Sequence, residues 1–68
     1  MQISMKAARH NANMTQHEMA EKMGVTVATV SHWEKGKRDL SAKDFAKFCD
    51  IVGMSRDDIF LPEELTNS

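Results

Sequence analysis

The chain contains a single cysteine, Cys49, so no disulfide can form within it. A lone thiol in a short chain suits a reducing compartment, and the expected location is the cytoplasm. Tyrosine is absent and no stretch alternates apolar with polar residues for long, so the strand signal is poor. The one proline, Pro62, stands near the end, which leaves helices before it free of that breaker. No run approaches the roughly 20 apolar residues of a membrane span. The opening residues MQISMKAARHNANM lack the continuous apolar segment of a signal peptide. Cys49 has no partner cysteine and His10, His17 and His32 share no metal-ligand spacing, so no metal or other cofactor is expected. There is no nucleophile–base pair, no carboxylate pair and no phosphate-cradling glycine loop, so an enzyme is not expected, nor a small-molecule ligand.

With 68 residues the chain makes one small domain with little surface to bury. It needs close helix packing or a partner subunit. The formal net charge is −1, but the charge is unevenly placed. Residues 1–38 carry six basic and three acidic side chains, and residues 39–68 three basic and seven acidic, giving +3 and −4. A polyanion responds to the local field rather than to the sum, so the first part is the candidate for contact with nucleic acid.

Periodicity and capping predict five helices. The first covers about Ile3 to Asn11, followed by Asn13, a residue suited to a left-handed exit. Thr15 caps the second and Glu18 completes a capping box, with Met19, Ala20 and Met23 as the apolar face and Gly24 as the stop. Thr26 caps the third, which runs to about Lys35 with Val30 and Trp33 inward. Ser41 caps the fourth, where Phe45, Phe48, Cys49 and Val52 take the spacing of a buried stripe, and Gly53 ends it. Ser55 starts a short fifth helix with Ile59 and Phe60 as apolar members, stopped by Pro62. The domain is expected over residues 1–62, with a polar tail at 63–68. Met5, Met14, Met19 and Met23 fall at core spacing, and Cys49 reads as a small core hydrophobe.

The run Gln16–Glu34 has a further property. Two helices that cross steeply need a small residue where they meet and a turn without a Cβ clash; Ala20 and Gly24 meet those needs, and Val30 can pin the second helix to the core. This is the layout of a helix-turn-helix, although a plain helical hairpin with a glycine C-cap would share part of it. The phrases MTQHEMAEKMGV (Met14 to Val25), VSHWEKGKR (Val30 to Arg38) and GMSRDDIF (Gly53 to Phe60), together with Arg9, resemble the Cro/CI-type helix-turn-helix proteins of phage and bacterial regulators. The resemblance covers about Met5 to Leu61.

It implies an all-α, compact five-helix lambda-repressor-like domain that binds double-stranded operator DNA as a homodimer, with the helix at 26–35 in the major groove. By the same resemblance, Val27, Ala28 and His32 face base edges, with Thr29, Ser31 and Lys35 assisting. Gln16 contacts phosphate and can buttress the reading helix, joined at the phosphate by the N–H groups at its helix start. Lys35, Lys37 and Arg38 clamp the backbone, and Thr26, Lys6 and Asn13 are further phosphate candidates. Arg9 and Glu34 match a structural salt bridge between helices one and three. The chain ends soon after this globule, which favours a short Cro-like repressor whose dimer contact is expected at Ile59, Phe60 and Leu61. Two other readings stay open: an antitoxin or similar protein-binding module, and a small controller protein that activates transcription by touching RNA polymerase through Asp57, Asp58, Glu63 and Glu64.

Overall fold

The computed structural model describes residues 2–61. The order is β1 (Ile3–Ser4), α1 (Met5–Asn11), α2 (Gln16–Met23), α3 (Val27–Lys35), α4 (Ala42–Val52), a single 3-10 turn (Arg56–Asp58) and β2 (Ile59–Phe60). Among the described residues the chain is mostly helical, with four α-helices rather than five. The predicted fifth helix is only the 3-10 turn, after which Ile59 and Phe60 extend and pair in parallel with Ile3 and Ser4. The same pairing shortens the first helix, since Ile3 lies in a strand and α1 starts at Met5. The domain boundary placed after residue 62 and the tail at 63–68 lie outside the described residues.

Each α-helix starts on a hydroxyl. Ser4, Thr15, Thr26 and Ser41 accept hydrogen bonds from the N–H groups of Ala7, Glu18, Thr29 and Asp44, at 3.0–3.2 Å. These bonds satisfy donors that a helix start would otherwise leave orphaned. At α2 the box is reciprocal: the Thr15 N–H also donates to Glu18 Oε1 at 2.9 Å. Gly24 stops α2 at φ 72°, and nothing lies within 4 Å of where its Cβ would be. Backbone conformation, not crowding, therefore calls for glycine there. Asn13 takes the left-handed region as well, at φ 58°.

The core gathers one face of every helix. Met5 and Ala8 come from α1, Met19, Ala20 and Met23 from α2, Val30 and Trp33 from α3, and Phe48 and Cys49 from α4; Ile59 of β2 closes it. Met14, Phe45 and Val52 pack on its margin. Ala20 is 3 % exposed, as a close helix crossing requires. The Trp33 indole N–H donates to the Asp39 carbonyl at 3.2 Å, which ties down the loop after α3. Burial pushes the Cys49 thiol above its ordinary range, with Asp50 acting in the same direction and Arg56 against it. The thiol therefore stays protonated and inert in its core position.

The Thr15–Glu18 box has a pH signature. Hydrogen bonds from the backbone and side chain of Thr15 hold the Glu18 carboxyl below its ordinary 4.5. A lowered folded-state value means a stabilising contribution that is complete above the unfolded value and disappears as pH falls through the folded one. In urea denaturation, Glu18→Gln should be less stable than the parent at neutral pH, and the gap should close as pH drops below about 4. Thr15→Ala should cost about 1 kcal/mol.

Candidate nucleic-acid interface

The turn between α2 and α3 is short and tightly bonded. The Gly24 N–H donates to the Glu21 carbonyl at 3.3 Å and the Val25 N–H to the Ala20 carbonyl at 3.0 Å. The chain then re-enters a helix at Thr26. Within α3 the residues divide cleanly by face. Val30 and Trp33 are buried, and so is Thr29 at 8 % exposure. Val27, Ala28, His32 and Lys35 are exposed and Ser31 is half-buried. Positions 27, 28, 31, 32 and 35 follow helical spacing and form one continuous outward stripe.

Thr29 therefore lies off this exposed stripe. Its hydroxyl lies 2.9 Å from that of Thr26, and its N–H donates to the same Thr26 oxygen at 3.2 Å. It completes the helix start from within. Thr26 itself is exposed, with its hydroxyl engaged in that cap.

Behind the stripe lies a buried polar network. Arg9 Nε donates to Glu34 Oε2 at 2.7 Å and Nη2 to Oε1 at 3.2 Å, and the two side chains are 6 % and 4 % exposed. Arg9 Nη1 donates to the Met14 carbonyl at 2.9 Å, and Gln16 Nε2 donates to Glu34 Oε1 at 3.1 Å. The network joins α1, the α1–α2 loop, the start of α2 and the end of α3. Gln16, expected at a phosphate, spends one of its two amide hydrogens on Glu34. Among the described residues no buried side-chain nitrogen or oxygen lacks a partner.

Next to Gln16 a shallow groove runs between α1 and the start of α2. Lys6, His10, Asn13, Thr15, Gln16 and His17 line it. Lys6, Asn13 and Gln16 thus share one surface. His10 and His17 join them without having been singled out from the sequence. Their signal was available, since His10 stands one helical turn beyond Lys6 and His17 follows Gln16 directly. His17 Nε2 also lies 3.0 Å from Glu21 Oε1 on the next turn. At the other end of α3, Gly36 at φ 73° reverses the chain and the Lys37 N–H donates to the His32 carbonyl at 2.8 Å. Lys37 and Arg38 are exposed in the loop so formed.

The three residues expected at a dimer contact are separated by burial. Ile59 is 3 % exposed and belongs to the monomer's own core, so it is not available to a partner. Leu61 is half-buried and packs against that core. Phe60 points outward, at 46 % exposure.

The comparison with known families agrees with this geometry. The model of a helix-turn-helix family matches residues 5–59. The chain belongs to the Cro/CI-type helix-turn-helix family. It is similar to an uncharacterised HTH-type transcriptional regulator of Methanocaldococcus jannaschii, 38 % identical over 64 residues, which are 94 % of this chain and 97 % of that protein. A second, from Archaeoglobus fulgidus, is 36 % identical over 64 residues, covering 94 % of this chain and 90 % of the relative. A third, from Haemophilus influenzae, is 40 % identical over 38 residues, covering 56 % of this chain but 16 % of the relative. No solved structure matches the chain significantly. The protein is thus a helix-turn-helix DNA-binding transcriptional regulator in which α2 and α3 are the paired helices.

For this helix-turn-helix domain the Arg9–Glu34 pair is the most demanding element. Removing one partner of a buried pair leaves the other charged and unpaired, which costs about 3–5 kcal/mol. Arg9→Ala and Glu34→Ala should each lose that much in urea denaturation. The double variant Arg9→Met with Glu34→Leu should recover most of the loss, because it leaves no orphaned charge. Additive losses in the double variant would contradict the coupling.

Proposed function

We propose that the protein is a Cro-like repressor that binds a two-fold operator as a homodimer, with α3 in the major groove. The observation that carries this reading is the outward stripe Val27, Ala28, Ser31, His32 and Lys35 on a helix whose inner face is locked into the core. Such a helix can enter a groove about 12 Å wide without disturbing the body that carries it. In this reading Ser31 and His32 supply hydrogen bonds to base edges, and Val27 and Ala28 supply apolar contact.

Phosphates on either side are held from two directions. Lys6, Asn13 and Gln16, with His10 and His17 beside them, take the backbone at the start of α2, and Lys35, Lys37 and Arg38 take it beyond the end of α3. The dimer contact in this reading centres on Phe60, the exposed aromatic of strand β2. Two recognition helices related by that contact would meet half-sites one turn apart. The protein would act in the cytoplasm, where its DNA is.

Footprinting on the DNA that flanks its own gene should protect two half-sites about 10 base pairs apart, centre to centre. Protection should fade steeply with salt, as for a complex that displaces counterions from roughly 6–10 phosphates. Phe60→Glu should keep the fold but lose joint protection of the two half-sites. Tight capture of a protein partner with no protection of any duplex would favour the antitoxin-like reading instead.

A further inference from the structure

We propose that the start of the recognition helix reads the C5-methyl group of a pyrimidine, so that each half-site is marked by a thymine or a 5-methylcytosine at one position. This inference rests on the DNA-binding reading above and specifies its chemistry. Val27 is the first residue of α3 and is 38 % exposed; with Phe60 it is one of two large hydrophobic side chains left exposed among the described residues. Ala28 beside it is exposed too. The N-terminal end of a recognition helix is the part that meets base edges. Here that end presents methyl groups only.

The neighbouring hydroxyls do not compensate. Thr29 is turned inward, and the Thr26 oxygen is occupied by the cap. Ser31 and His32 stand a full turn further along the helix. An apolar side chain can neither donate to nor accept from a base edge. Pressed against the amino group of adenine or cytosine, it would strip water from a donor and give nothing back. The apolar feature that the major-groove edge offers is the methyl at C5 of thymine, and 5-methylcytosine carries that methyl at the same ring position.

Valine suits the task, because its β-branch fixes χ1 and leaves little side-chain entropy to lose on contact. Lys35, Lys37 and Arg38 supply the positive field that brings the anionic duplex to this helix.

The test begins with selection of duplexes from a randomised library by the full chain. Each thymine of the recovered half-site is then replaced by deoxyuridine, which lacks only the methyl, and separately by cytosine and by 5-methylcytosine. At one thymine per half-site, loss of the methyl should weaken binding about fourfold, and about 15-fold when both half-sites are changed. At that position 5-methylcytosine should bind more tightly than cytosine by a similar factor. Val27→Ala should bring the thymine-to-deoxyuridine ratio toward one while still binding the deoxyuridine duplex.

Equal affinity for thymine and deoxyuridine at every position, on a duplex that is bound tightly, would overturn the methyl inference and leave the DNA-binding reading standing. A thymine effect without any gain from 5-methylcytosine would overturn the second half of the inference alone. Failure to enrich any duplex would overturn both it and the reading beneath it.

Discussion

The buried ion pair between Arg9 and Glu34 is the constraint on which the rest of the molecule depends. A small chain that places two opposite charges at 6 % and 4 % exposure takes on a desolvation cost of several kcal/mol per ion. It recovers that cost only through near-complete satisfaction. Arg9 supplies all three guanidinium nitrogens, two to Glu34 and one to the Met14 carbonyl, and Gln16 adds a fourth bond to the cluster. An apolar substitute of similar volume would hold the helices at no such cost. What it would not do is fix the angle and register of α3 against α1 and the start of α2. The bidentate geometry specifies direction as well as proximity.

That specification matters because α3 has two jobs on opposite faces. Its inner face contributes Thr29, Val30 and Trp33 to the body, and its outer face leaves Val27, Ala28, His32 and Lys35 exposed. Glu34 lies near the end of the helix and Thr26 caps its start, so the helix is held at both ends. The same network reaches the groove side through Gln16. One amide hydrogen is committed to Glu34, and the side chain also lines the groove that Lys6, His10 and His17 share.

Much of this was legible in the sequence, because the decisive signals are local. The hydroxyl caps, the Thr15–Glu18 box, the left-handed Asn13 and Gly24, and the small Ala20 all act within one or two turns of chain. The misread parts are those decided at long range. Ser55 with two acids after it looks like a helix start, and it does make one 3-10 turn. Beyond it, pairing of Ile59 and Phe60 with Ile3 and Ser4, more than fifty residues away, outweighs any local helical preference. That pairing also draws Ile59 into the core and out of any dimer contact. Thr29 is a different kind of miss. It stands four residues before Trp33, so helical spacing alone places it on the inner face, and its polar side chain obscured the geometry. The family resemblance pointed to Gln16 as a brace for α3, but its partner Glu34 was not legible, since nothing local links the two positions.

In the proposed function the outer face of α3, flanked by the α1–α2 groove and the loop after α3, is the surface that meets DNA. Backbone amide shifts of isotope-labelled protein titrated with its selected duplex test this most directly. The largest changes should fall at Val27, Ala28, Ser31, His32, Lys35, Lys37 and around Gln16, with the exposed face of α4 nearly silent. Changes concentrated on α4 and the 3-10 turn, with α3 unmoved, would contradict it.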